Sequence, residues 1–375
     1  MEKRLVYLDR LKVFLTALVV LHHTAIMYGG AGSWYYYERT DNAAVTALLS
    51  TLTAVDQTFF MGLFFFVSGY VTPASYDRRG GLHFLKARLI RFGIPLLFFM
   101  LVIAPLLGYF SSGYSGSMAS YLRAEVFPHP LRGIAEFAVG PLWYLEALLI
   151  FFLVYAGIRL AAETGKFRLS PPRLTPRLMA GYVAAVAAAN FPVRMAFPVG
   201  TEWIHLQLGY FPAYIGLFAA GTAAYRGDWL QQLSVDTARR WRWPVVAMVV
   251  TLPAGMALGG ALEGRMSAFM GGVSWQAAFY ALLDPLLGLG ITYMLLVWFR
   301  ERWNGAPTRT TRWLSGHAFA VYILHALFVT CSGFAFRSLA WNPLLKFAVA
   351  GGIALLLVYA AAALVRKIPG SSRVV

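Results

Sequence analysis

The sequence predicts an all-α, polytopic integral membrane bundle of ten transmembrane helices with both the N-terminus and the C-terminus cytoplasmic. Three observations carry that prediction. The 375-residue chain is 59% hydrophobic and only 13% charged, with a mean hydropathy of +0.61, a composition outside that of soluble domains. Ten apolar runs, centred near residues 20, 62, 100, 150, 186, 215, 252, 287, 326 and 355, are long enough to cross a hydrocarbon core about 30 Å thick as helices. The cations are also sorted: with the N-terminus inside, 25 of the 32 Lys and Arg fall in inner segments. The outer segments hold the other seven, Arg39, Arg123, Arg132, Arg194, Arg265, Arg337 and Lys346, and this bias orients the spans. Alternating strand patterns are absent, which excludes a barrel.

The formal charge of +16 points to anionic lipid headgroups, because the basic residues lie in short clusters between apolar runs. Nucleic acid as a partner would need a soluble basic face with interleaved aromatics, and there is none. A lone Cys331 permits no internal disulfide. Lys3 and Arg4 before an apolar stretch, with Ala31-Gly32-Ser33 beyond it, resemble a signal peptide. The interruption by His22-His23 and the charges at Arg10 and Lys12 favour a retained first helix. No long soluble insertion divides the spans, so one membrane domain, 1–375, with no fused soluble domain is expected.

In the first span the histidines conflict with an otherwise apolar run, and such residues in lipid are kept for a use. Lys12 and His23 are 11 residues apart, on one helix face and about 16 Å apart along the axis. One face thus joins a surface cation to a buried base. The second span carries Asp56 and ends Phe64-Phe65-Phe66-Val67-Ser68-Gly69-Tyr70, where small residues allow close helix packing. Arg88 and Arg91, three residues apart at the start of the third span, would be neighbours on an α-helical face. They suit phosphate binding, and equally serve as plain inner-side topology charges.

The outer loop from Ser111 to Gly140, with Arg123, Glu125, His129, Arg132 and Glu136, is either a lid or acceptor surface or a wet connector. Trp143 and Glu146 open the fourth span, where a sugar could stack and hydrogen-bond, and where belt aromatics and paired polar residues also sit. The Trp229-to-Trp243 stretch, with Arg239, Arg240, Trp241 and Arg242, reads as an interfacial helix. Asp284-Pro285 and Phe191-Pro192 read as broken spans. Asp284 and His325 both fall near mid-depth, so either could partner His23. Asp284 is as well read as capping backbone freed by a kink, and His325 as an interhelical hydrogen bond.

Asp9-x-x-Lys12 followed by ten residues and His23, then Phe65-x-x-Ser68-Gly69-Tyr70, then Arg88-x-x-Arg91, resembles acyltransferase family 3. Pro141-Leu142-Trp143-Tyr144-Leu145-Glu146 and the Ser315-to-His325 run also resemble that family's later helices. The resemblance covers essentially the whole chain, with Lys12 where the family usually has Arg. It implies acyl transfer from cytoplasmic acyl-CoA, acetyl-CoA in the first instance, to hydroxyls of glycans, lipid-linked sugars or small molecules. It implies that Lys12, Arg88 and Arg91 hold the coenzyme's phosphates while the pantetheine arm reaches His23, which acts as general base or acyl carrier. Asp284 and His325 are the candidate catalytic partners, and Ser68, Tyr70, Trp143 and Glu146 candidate substrate-binding residues.

No metal-ligand spacing and no G-x-S-x-G elbow occurs, so no metal is expected. The competing class is a transporter or flippase of a sugar-containing or small-molecule substrate, which intramembrane charges also suit. A non-catalytic assembly subunit would leave His23, Asp284 and His325 without a use. Short loops and the absence of organelle signals fit a bacterial cytoplasmic (inner) membrane.

Overall fold

A computed structural model describes residues 5–126, 139–163, 170–371 and 374. Among them there is no strand, only an isolated bridge between Trp203 and Leu206. Nine helices among the described residues are long and apolar enough to cross a membrane. They are α1 (Val6–Met27), α2 (Ala43–Arg79), α3 (Gly81–Ser112), α4 (Trp143–Glu163), α5 (Pro176–Ala196), α7 (Val235–Leu258), α8 (Trp275–Arg302), α9 (Arg309–Phe336) and α10 (Pro343–Val365). The expected sixth span is α6, Phe211–Arg226, a helix of 16 residues and so about 24 Å long.

Local chemistry accounts for the helix starts. Asn42, Thr175, Ser234, Ser274 and Asn342 each precede a helix and accept a hydrogen bond from a backbone N–H of its first turn. The expected breaks do not occur: Pro192 and Pro285 lie inside continuous helices, as Pro residues can where neighbouring helices support the backbone. The interfacial helix expected over Trp229–Trp243 is also not a separate element. A short turn, Trp229–Gln232, is followed by α7, whose first turns carry Arg239 to Trp243.

The third span departs from α geometry. It contains two wide π turns, Leu89–Gly93 and Phe99–Ile103. Pro95 and Pro105 explain them, because a proline offers no N–H to the carbonyl four residues back, here Arg91 and Leu101. The chain widens where that bond is missing. Arg88 therefore precedes a π turn and Arg91 lies within it, in place of the regular α face the spacing suggested.

The chain forms two compact units from interleaved segments. The first comprises Met1–Leu15, Val55–Leu85 and Phe151–Thr308. In it α2 and α6 touch backbone to backbone: a Cβ on Gly69 would collide with the Phe218 carbonyl oxygen, and one on Gly221 with the Phe66 carbonyl oxygen. Near the end of α2, Asp77 accepts from Arg159 of α4 at 2.9 Å and from Arg226 of α6 at 2.8 Å. The Arg10 guanidinium reaches the Trp303 carbonyl beyond the end of α8 at 2.5 Å.

The second unit comprises Thr16–Ala54, Lys86–Ile150 and Arg309–Val375. Its core includes Val20, Tyr28, Val45, Leu49, Val321, Val329, Ala354 and Val358, drawn from α1, α2, α9 and α10 and the turn after α1. Two of the cations assigned by sequence to outer segments are buried inside the units. Arg194 of α5, 1% exposed, pairs with Asp284, and Lys346 of α10, 2% exposed, pairs with Glu38 at 2.6 Å. A charge so enclosed requires a counter-ion, which the linear sequence does not display.

Candidate active site

The candidate site lies in the second unit, where α1 ends. Met27 closes that helix, and Gly29 adopts φ +117°, a left-handed conformation that favours glycine. The chain then doubles back as a strap, with the Glu38 N–H bonded to the Met27 carbonyl at 2.9 Å. Glu38 also anchors the strap by its ion pair to Lys346 and by accepting from the Tyr36 hydroxyl at 3.3 Å. Burial, and next the Glu38 carboxylate, push the Tyr36 phenol up, so it remains a proton donor.

The strap lays Trp34 over His23, with ring centroids 3.9 Å apart and planes 20° from parallel. His325 of α9 completes a compact cluster, 5.3 Å from His23 at 19° and 6.1 Å from Trp34 at 26°. His22, 5% exposed, meets His23 edge-on. The tautomer of His325 follows from its partner. Its Nδ1 lies 2.6 Å from the Tyr322 carbonyl oxygen, and because a carbonyl only accepts, Nδ1 carries the proton and Nε2 the lone pair. His325 Nε2, His23 Nδ1 and Trp34 Nε1 are all buried atoms without a hydrogen-bond partner.

Two sequence motifs meet beside this stack. The Tyr322 hydroxyl donates to the Pro141 carbonyl, and its ring packs edge-on against Tyr144 at 5.9 Å. Trp143 and Glu146 share the first turn of α4, where a carboxylate complements the helix dipole. On α9, Phe319 lies beneath the Arg91 guanidinium at 5.4 Å. Phe319 is six residues before His325, about 9 Å along the helix. Arg88, half-buried, lies 6.0 Å from the Phe92 ring.

His23 and His325 meet directly, and Arg88, Arg91, Trp143 and Glu146 belong to the same unit. Lys12, Ser68, Tyr70, Asp56 and Asp284 belong to the first unit. Lys12 pairs with Asp9 at 2.9 Å, Tyr70 packs edge-on against Tyr225, and Ser68 precedes the glycine at the α2–α6 contact. Asp284 is held by Arg194 at 2.5 Å, both nearly fully enclosed. Arg194 also donates to the Gly209 carbonyl at 2.9 Å and lies over the rings of Tyr210 and Tyr280. His129, Arg132 and Glu136 of the outer loop lie outside the described residues; Met118–Tyr121 and Leu122–Val126 are helical turns. Among the described residues no three His, Cys, Asp or Glu side chains gather as a metal site would need.

Sequence reasoning missed Trp34, Tyr322 and Arg194. Trp34 lies after a turn, so no helical period connects it to His23; the aromatic run Trp34-Tyr35-Tyr36-Tyr37 beside glycines was the available signal. Arg194 was marked by its place two residues after Pro192 in an apolar run.

The buried histidine pair thus lies in an all-helical, multi-pass membrane protein. The family model described as an acyltransferase domain matches residues 5–363, and the chain belongs to acyltransferase family 3. It is a multi-pass membrane acyltransferase. No curated protein and no solved structure matches it.

Proposed function

We propose that this protein transfers an acyl group, acetyl in the first instance, from cytoplasmic acyl-CoA to a hydroxyl of a carbohydrate or other envelope or exported acceptor. The observation that carries the reading is the buried His23–His325 stack, in which the Nδ1–H of His325 is committed to Tyr322 and Nε2 presents a lone pair. In the transfer, His325 Nε2 takes the acceptor's hydroxyl proton while the oxygen bonds to the acyl carbon. The carbon–sulfur bond breaks with its electron pair on sulfur, and the proton passes to the coenzyme thiolate. His23 is the ring against which the thioester is held, and it carries the acyl group if transfer runs in two steps.

Arg88 and Arg91 are assigned to the coenzyme's phosphates, for which guanidinium groups are suited. The position of Phe319 under Arg91 supports this, because it links the basic residues to the helix that bears His325. Trp143 and Glu146 are assigned to the acceptor. Asp284 is assigned to the framework, since its carboxylate is already engaged by Arg194.

The topology proposed is ten crossings with cytoplasmic termini in a bacterial cytoplasmic membrane. In support, the ends of α2, α4 and α6 converge on Asp77, as helices ending on one side should, which favours reading α6 as a crossing despite its length. We read 1–375 as one functional domain because each compact unit is assembled from separated stretches of chain.

Thiol release from acetyl-CoA by the purified protein, with and without candidate acceptors, tests the proposal. The expected result is turnover in wild type and none in folded His23→Ala or His325→Ala. Accumulation of acyl-His23 without acceptor would select the two-step route. Absence of affinity for any acyl thioester would overturn the reading in favour of transport.

A further inference from the structure

We propose that Trp34 is a catalytic residue of this site, its indole N–H donating to the carbonyl oxygen of the transferring acyl group. The inference rests on the acyl-transfer reading and adds a role for a residue outside the family-like motifs.

Three polar ring atoms of the stack, His23 Nδ1, His325 Nε2 and Trp34 Nε1, are buried without partners. Leaving buried polar groups unmatched is unfavourable, so a cluster of them marks a place that a polar ligand completes. Their chemistry differs in a useful way. His325 Nε2 can only accept, given its Nδ1 bond to Tyr322, whereas an indole N–H can only donate. Acyl transfer to a hydroxyl needs one of each: an acceptor for the hydroxyl proton and a donor for the carbonyl oxygen. As the acceptor oxygen bonds to the acyl carbon, the carbonyl π electrons move onto that oxygen, and its negative charge returns to expel the thiolate. A donor fixed beforehand in a water-poor site stabilises that charge without reorganising.

The strap supplies the fixing. Trp34 lies flat on His23 at 3.9 Å, four residues before Glu38, which pairs with the enclosed Lys346 and whose backbone N–H donates to the Met27 carbonyl. The neighbouring Tyr35 packs against the start of α4, where a Cβ on Gly140 would collide with the Tyr35 hydroxyl. An indole serving only as packing would not require its N–H to be enclosed.

The test is steady-state acyl transfer from acetyl-CoA by Trp34→Phe, with thermal unfolding in detergent as the fold check. The expected result is a kcat lower by about 10²-fold with the KM for donor and acceptor within about two-fold of wild type. If Trp34→Phe does not fold, benzothienylalanine at position 34 makes the same test, because it keeps the bicyclic shape and replaces N–H by sulfur. Wild-type kcat in the folded variant would overturn the proposal. A loss confined to KM would overturn it too, by making Trp34 a binding surface only. His23→Ala and His325→Ala assayed alongside separate this inference from its premise: their inactivity with an active Trp34→Phe defeats the indole donor alone, whereas a wild-type protein that neither binds an acyl thioester nor releases its thiol defeats the acyl-transfer reading itself.

Discussion

The imidazoles of His23 and His325 lie 5.3 Å apart with their planes 19° from parallel. Neither ring bonds the other: His23 Nδ1 and His325 Nε2 are left without a hydrogen-bond partner and remain available to substrates. A hydrogen-bonded pair would have tied up one nitrogen of each. Trp34 completes the cluster, 3.9 Å from His23 and 6.1 Å from His325.

His325 is therefore expected to act as a base and not as packing. His325→Gln keeps a polar atom at the Nε2 position but cannot hold a proton, and turnover should fall by about 10²-fold or more. The thermal unfolding temperature in detergent should stay near wild type. A His325→Gln enzyme with ordinary turnover would remove His325 from the chemistry.

The arginines of the third span should govern donor affinity. Arg88→Ala/Arg91→Ala is expected to weaken acetyl-CoA binding by at least about ten-fold, each charge-assisted hydrogen bond being worth about 1.5–3 kcal/mol. Isothermal titration at two salt concentrations checks this. The wild-type affinity should fall with salt, and the variant's should be nearly insensitive to it.

The buried pair in the first unit predicts a stability effect. Asp284→Ala leaves the Arg194 charge enclosed without its counter-ion, a loss of about 3–5 kcal/mol. The double replacement Arg194→Met/Asp284→Leu should recover much of it. If the double variant also turns over acetyl-CoA, Asp284 is a framework residue. Recovery of stability without any activity would restore Asp284 to the reaction.

Gly69 predicts a packing effect. A methyl group there would fall well inside van der Waals distance of the Phe218 carbonyl oxygen, so Gly69→Ala should force α2 from α6 and lower stability by about 1–3 kcal/mol. Folded yield and unfolding temperature report this. A variant as stable as wild type would mean that the helices are not in backbone contact.

Much of the architecture was legible in the chain alone. Apolar runs and sorted cations are local properties, and among the described residues they marked out nine long helices and the shorter α6 at their expected places. His23 was legible for the same reason: an imidazole in an apolar run conflicts with its surroundings wherever the helix packs. The π turn that holds Arg91 was less so, since it requires relating Pro95 to the carbonyl four residues behind it.

By itself the sequence determined the helical membrane class, the family and the presence of histidines within apolar spans, because length, hydropathy and charge act residue by residue. Only the tertiary structure decided which groups meet. His325 faces His23 through the fold, Trp34 reaches it through a turn that no helical period describes, and Asp284 faces Arg194, 90 positions away in the chain. Contacts of that kind depend on how helices pack laterally. Depth in the membrane can be counted along a chain, but the neighbour at that depth cannot.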